Sequence, residues 1–147
     1  MKRKMRQGIG RKQAKERGFT LLELLVVLAI LGLLAAFVAP QVLKYLSRAK
    51  SDSARIQIQN IAATLDLFRL DVGRYPTSTE GLAALVQRPS GLTSWNGPYI
   101  KDSKVPNDPW GHPYFYKIPG EHGEFELYSL GADDQPGGTG ENADVTN

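Results

Sequence analysis

From residue 19 to residue 39 the chain runs 21 residues with Glu23 as its only charge. At about 1.5 Å per residue a helix of that length measures roughly 30 Å, the thickness of a bilayer's hydrocarbon core, so the chain is expected to cross a membrane once. Ahead of the run, Lys2, Arg3, Lys4, Arg6, Arg11, Lys12, Lys15 and Arg17 stand against Glu16 alone. The first 18 residues therefore carry +7 and the rest −4, within a total of +3. Cations on that side hold the amino terminus in the cytoplasm and send the carboxyl region to the other face of the membrane. The basic block stops at the apolar run and no basic, aromatic-laced face follows, so nucleic acid is not the expected partner. The chain has no cysteine, which excludes disulfides and thiolate metal sites.

An ordinary secretory signal has an apolar region of about 7 to 15 residues followed by a small-x-small cleavage site. This run is longer. Its far end reads Ala36-Phe37-Val38-Ala39-Pro40, with bulky Phe37 where a small residue is needed, and an uncleaved anchor remains open on that evidence. Glu23 needs its own account, because a carboxylate in a membrane segment costs on the order of a few kcal/mol unless it is paired or lies near the interface. Pro40 removes an amide donor from any helix that continues through it, so either a bend or a short melted stretch is expected there, or the helix ends.

Beyond the membrane, Ile58, Ile61, Leu65, Phe68 and Val72 alternate spacings of three and four, which marks one face of an amphipathic helix. Arg55, Gln57, Gln59, Asn60, Asp66 and Arg69 lie opposite and are read as solvated surface. Gly73 and Pro76 stop the helix. The remainder is rich in proline and glycine. Gly81-Leu82-Ala83-Ala84-Leu85-Val86 reads as a short helix, and two β-prone runs follow, Tyr114-Phe115-Tyr116-Lys117-Ile118 and Phe125-Glu126-Leu127-Tyr128-Ser129-Leu130. The segment Pro119-Gly120-Glu121-His122-Gly123 is placed as the turn of a hairpin between them. The expected fold is α+β, one long amino-terminal helix packed on a small antiparallel sheet.

Where the basic block meets the apolar run, Arg17-Gly18-Phe19-Thr20-Leu21-Leu22-Glu23-Leu24 resembles the processing site of type IV pilins and pseudopilins. The resemblance implies cleavage between Gly18 and Phe19 by a prepilin peptidase, N-methylation of Phe19, and retention of the hydrophobic helix. It also gives Glu23 a partner, the new ammonium of Phe19 on a neighbouring subunit, so that the pair would set the register of a fibre. An interfacial Glu23 snorkelling at the helix end is the bland alternative. Further signatures narrow the resemblance: Asp71-Val72-Gly73-Arg74-Tyr75-Pro76-Thr77, Glu80-Gly81-Leu82, Gly97-Pro98-Tyr99-Ile100, Asp108-Pro109-Trp110-Gly111 and Tyr128-Ser129-Leu130-Gly131-Ala132-Asp133. In this order they look like those of the major, or G, pseudopilins of type II secretion. With the amino-terminal motif they cover nearly all of the mature chain.

The family implies a type IV pilin-like ladle with a calcium-stabilised carboxyl-terminal loop. It also implies a division into a leader at 1–18, a transmembrane part at 19–39, an amphipathic continuation at 40–73 and a periplasmic globular region at 74–147. Its members polymerise into the periplasmic pseudopilus and drive export of folded proteins across the outer membrane. The expected location is the bacterial inner membrane, with a single pass. The implied partners are further copies of the chain, minor pseudopilins, the prepilin peptidase, and an inner-membrane assembly platform with its ATPase. A type IV pilin, or a competence pseudopilin, is the alternative, and the absent cysteine pair and the Asp133 loop favour secretion.

The tail from Leu130 to Val145 gathers four acids among glycines, and abundant oxygen ligands suit a hard cation such as calcium. It lacks the acid spacing of an EF-hand, and Gly137-Gly138-Thr139-Gly140-Glu141-Asn142 is a single copy of a pattern that needs stacked repeats. A disordered acidic tail is the competing expectation. The family resemblance implies one Ca2+ here, with the Asp133 carboxylate and the Leu130 carbonyl as ligands, joined by Asp144 and Thr139, or by Glu141 or Asn142 in their place. No catalytic group is expected: His112 and His122 sit in turn-rich sequence without a nucleophile motif or phosphate loop. Trp95 and Trp110 are expected to cover the sheet. A membrane-tethered calcium module that never polymerises would share the anchor but not the cleavage.

Overall fold

The computed structural model of the chain describes residues 18–147; the basic leader cluster from Lys2 to Arg17 lies outside them. One helix, α1 (Leu21–Val72), is followed by a 3-10 helix at Gly81–Leu85 and by strands β1 (Phe115–Lys117), β2 (Glu126–Ser129) and β3 (Val145–Thr146), with 3-10 turns at Gly131–Asp133 and Gly140–Asn142 between β2 and β3. By its contacts the chain divides between Pro40 and Gln41 into two units.

In the first unit the surface of the helix lies open among the described residues. Leu22 and Phe37 are each 70% exposed, and no residue of the apolar stretch is buried. At about 25 cal/mol per Å² such a surface is strongly unfavourable in water, and lipid or neighbouring apolar helices must cover it. Pro40 lies inside α1, whose helical assignment runs unbroken across it. The melted stretch or helix end allowed by the sequence is therefore not what forms. A proline costs one amide bond, and the remaining ladder on either side suffices to keep the turn.

In the second unit the expected stripe is the spine of the core. Ile58, Ile61, Leu65 and Phe68 are buried together with Ala54, while Val72 is half-buried at the edge. They pack with Leu82, Leu85, Trp95, Tyr114, Leu127 and Val145. Truncating a fully buried Leu such as Leu65 or Leu127 to Ala costs about 2–5 kcal/mol, a large share of a small domain's stability. Gly73 ends α1 at φ 84°, a left-handed conformation that a side chain would strain, and its N–H caps the Arg69 carbonyl at 2.7 Å. The chain returns along the helix through Tyr75, whose ring meets Phe125 edge-on at 4.9 Å.

The short helix expected near Gly81 forms as the 3-10 helix, and the hairpin forms with β1 antiparallel to β2, Tyr116 opposite Leu127. Beside that pair, Phe115 stacks on Tyr128 at 5.3 Å. The third strand was not read from the sequence. β3 pairs antiparallel with β2, Ser129 opposite Val145, giving the order β1-β2-β3. The Asn147 N–H donates to the Leu127 carbonyl at 3.0 Å, and the Leu127 N–H donates to Asn147 Oδ1 at 2.9 Å.

One expectation about side chains needs correction: the polar face of α1 is more than solvated surface. Gln57 accepts the Tyr114 hydroxyl at 2.9 Å, Asp66 accepts the Tyr75 hydroxyl at 2.8 Å, and Arg69 donates to Tyr75 and Glu124. These groups stitch the helix to the loops beside the sheet. Of the two tryptophans, Trp95 is buried and donates from Nε1 to the Ala84 carbonyl at 2.8 Å. Trp110 is only half-buried against the core, with a buried Nε1 that finds no partner.

Candidate functional site

The scissile junction expected at Gly18-Phe19 lies ahead of the helix. Gly18, Phe19 and Thr20 are non-helical and exposed, with Phe19 87% accessible, so the bond lies open on the surface. α1 then begins on a reciprocal cap. The Thr20 hydroxyl accepts the Glu23 N–H at 3.1 Å, and Glu23 Oε2 accepts the Thr20 N–H at 2.9 Å and its hydroxyl at 3.0 Å. This Thr-x-x-Glu box satisfies two amides that a helix start otherwise leaves orphaned. Glu23 thus has a local structural role that the sequence reading passed over, although Thr20-Leu21-Leu22-Glu23 spells it out. The box leaves the carboxylate's charge uncompensated: no cation among the described residues pairs with it.

The carboxyl-terminal loop is ordered, so the expectation of a disordered tail does not hold. Between β2 and β3 it makes its two 3-10 turns, and the Gly137 N–H donates to Asp144 Oδ2 at 3.0 Å while the Gln135 N–H donates to Asp133 Oδ1 at 3.3 Å. Gly131, at φ 73°, admits the close approach: a Cβ there would stand 2.6 Å from the Glu141 carbonyl oxygen and 3.0 Å from that of Ala143. The loop therefore holds main-chain oxygens, the exposed Asp133 and Asp144 carboxylates and the exposed Thr139 hydroxyl in one folded segment, with Leu130 at its entrance. Among the described residues no three His, Asp or Glu side chains gather closely enough to hold a metal by themselves. A cation here would draw on main-chain and hydroxyl oxygens beside the two aspartates, an all-oxygen set that fits a hard ion such as calcium.

One cluster escaped the sequence reading. Asp108 is buried, with Oδ1 accepting the N–H groups of Trp110 (3.0 Å) and His112 (2.8 Å) and Oδ2 accepting the buried Ser129 hydroxyl at 2.5 Å. Ser129 Oγ in turn accepts the Gly131 N–H at 3.2 Å, and His112 Nδ1 lies 3.2 Å from the Gly131 carbonyl. The resemblance to a Ser-His-Asp relay is superficial, since the serine is fully buried and spends its proton on the aspartate. The cluster anchors the mouth of the carboxyl-terminal loop to the Asp108–His112 turn. The sequence analysis had singled out both segments, Asp108-Pro109-Trp110-Gly111 and Tyr128-Ser129-Leu130-Gly131-Ala132-Asp133, but nothing local joins one to the other. His122 lies exposed in the hairpin turn, as expected.

Comparison with known proteins gives both ends of the chain a place. Residues 13–39 match the prokaryotic N-terminal methylation motif, and residues 41–147 match the family described as type II secretion system (T2SS), protein G. The type II secretion system core protein G of Pseudomonas aeruginosa is 47% identical over 140 residues, covering 92% of this chain and 97% of that protein. The protein of the same name from Vibrio cholerae is 44% identical, covering 93% and 94%. Among solved structures, the major pseudopilin from the type 2 secretion system of enterohaemorrhagic Escherichia coli superposes with a TM-score of 0.55 at 32% identity, over 68% of this chain and 87% of that one. A methylation-type amino terminus, a helix packed on a small sheet, and this identity over nearly the whole length lead to one conclusion: the chain belongs to the type II secretion system protein G family, the pseudopilins of that system.

Proposed function

We propose that this pseudopilin is cut between Gly18 and Phe19 by a prepilin peptidase, methylated on Phe19, and held in the bacterial inner membrane by residues 19–39 with its carboxyl-terminal domain in the periplasm. An assembly platform driven by a cytoplasmic ATPase then extracts it into a homopolymeric pseudopilus, capped or initiated by minor pseudopilins, whose growth drives folded proteins across the outer membrane. The observation that carries this reading is the exposed Gly18-Phe19 junction directly ahead of a capped helix whose apolar surface finds no cover among the described residues. Such a helix exchanges lipid for the helices of neighbouring subunits at little cost in apolar exposure. Chemistry stays with the partners; this chain supplies surfaces.

Glu23 fits the role of register-setter. Its charge has no partner among the described residues, and cleavage places an ammonium at Phe19, which a neighbouring subunit can offer to it. In the carboxyl-terminal loop, Asp133 and Asp144, the Leu130 carbonyl and Thr139 would hold one Ca2+. The ion would neutralise the acids and tie the loop down for subunit contacts. The folded, oxygen-rich loop supports this assignment.

Intact-mass analysis of membrane-extracted protein tests the first step: the expected mass is that of a chain starting at Phe19 plus one methyl group. A full-length mass in a host with active prepilin peptidase overturns the reading. For the ion, thermal unfolding with calcium and with chelator is expected to separate by several degrees in the parent and to coincide in Asp133→Ala; a variant that gains as much from calcium as the parent defeats the assignment.

A further inference from the structure

We infer that Gln41, Lys44, Tyr45 and Arg48 form a docking site for the phosphate head group of an anionic phospholipid, in the leaflet that faces the exported domain. The inference rests on the topology proposed above. Spacings of three and four place these side chains on one face of α1, where they line a concavity of about 310 Å³. All four are exposed, Tyr45 by 68%. Neither Lys44 nor Arg48 takes part in an ion pair among the described residues. Around the helix from them, Val42, Leu43 and Leu46 are 55%, 65% and 53% exposed, so the segment has a cationic face and an apolar face, the composition of a membrane-surface helix.

Distance along the chain fixes the setting. Lys44 comes five residues after Ala39, so even a fully extended backbone leaves it within about 18 Å of the hydrocarbon edge. The head-group layer adds roughly 5–7 Å to each side of a bilayer, and Lys and Arg reach back toward it along flexible stems. Tyrosine favours the same zone, its ring against acyl chains and its hydroxyl in the polar layer. The sign of the charge is the telling point. Lys44, Arg48 and Lys50 precede the first acid, Asp52, on the side of the membrane where the positive-inside rule disfavours cations. Lipid phosphate supplies the missing counter-charge: the guanidinium binds it as a fork, the ammonium as a point charge, and Gln41 and the Tyr45 hydroxyl offer further donors.

The test uses the full-length chain in nanodiscs of phosphatidylethanolamine containing a small fraction of phosphatidylglycerol, with native mass spectrometry counting the phosphatidylglycerol retained. Lys44→Gln/Arg48→Gln is expected to weaken retention about fivefold per cation and roughly 25-fold together, with the leader cations common to both samples. The swap Lys44→Arg/Arg48→Lys is expected to keep it. Equal retention by the parent and the Gln variant overturns the inference; shortened fibres in that variant would then assign the cations to an acidic surface of a second copy. Displacement of the lipid by millimolar inorganic phosphate overturns it too, by showing a site for a free anion. Because the chain has no cysteine, Ala49→Cys gives a single thiol for membrane-impermeant labelling. Labelling from the exported side with equal lipid retention sinks this inference alone, whereas labelling from the cytoplasmic side sinks the topology and the inference with it.

Discussion

Two Thr-x-x-Glu pairs open turns in this chain, Thr20 with Glu23 and Thr77 with Glu80, and they are finished differently. At the second, the Thr77 N–H donates to Glu80 Oε2 at 2.7 Å and the Glu80 N–H donates to the Thr77 hydroxyl at 3.3 Å, just ahead of the 3-10 helix at Gly81–Leu85. Arg74 then closes on both oxygens of Glu80, at 2.7 and 2.8 Å. This forked hydrogen bond, more than the amide of Thr77, holds the Glu80 carboxyl well below its usual range, at about 2. At the first pair the same reciprocal bonds form, but no cation from the described chain follows. A box neutralised from within stabilises its own domain. The Glu23 box has no such cation among the described residues, and in the assembly proposed above its charge would go to another molecule.

Substitutions that break each box separate the two roles. Glu23→Val is expected to have the largest effect, lowering recovery of sheared fibres by roughly a hundredfold or more, because losing one partner of a desolvated ion pair costs about 3–5 kcal/mol. Leader cleavage, read by mass, stays intact. Normal fibres from this variant would remove the contrast. Glu80→Gln is expected to cost about 1–2 kcal/mol in denaturant unfolding at neutral pH, a value reduced for the 41% exposure of Arg74. Because the folded Glu80 carboxyl titrates lower than the unfolded one, its contribution is whole above about pH 4.5 and disappears as the pH falls toward 2. The parent should therefore lose more stability than Glu80→Gln across that interval, and parallel pH profiles would discredit the Arg74 fork.

Smaller effects sharpen the same comparison. Arg74→Lys keeps the charge but not the fork and is expected to cost about 1 kcal/mol in the same unfolding measurement. Thr77→Val removes one cap bond, at about 1 kcal/mol or less, seen as a few degrees of Tm. Thr20→Val should change fibre yield by no more than about twofold. A larger fall there would mean that the cap, rather than the charge of Glu23, controls assembly.

Legibility followed the range of the physics. The stripe Ile58, Ile61, Leu65 and Phe68 could be read because helical periodicity is local, and the hairpin because its β-prone runs flank one turn. Strand β3 could not, since Val145-Thr146 is too short to signal by itself and is held by pairing with β2, which lies sixteen residues earlier at Ser129. The contact made by Asp108 was hidden for the same reason: its partner Ser129 is remote in sequence. The Gly18-Phe19-Glu23 constellation stood out because a glycine, an aromatic residue and a lone carboxylate fall within six residues, whereas the cap joining Thr20 to Glu23 was passed over. In the carboxyl-terminal loop, acids and glycines announced oxygen chemistry, but the approach of Gly131 to Glu141 depends on how the loop doubles back.

The closing of β3 also orders events in time. Leu127, fully buried, has its N–H and its carbonyl engaged by Asn147, so the sheet cannot be completed before residue 147 has been made. The apolar stretch ends 108 residues earlier, at Ala39. At 5–20 residues per second of synthesis, the interval is roughly five to twenty seconds. The anchor therefore leaves the ribosome while the domain behind it still lacks its last strand.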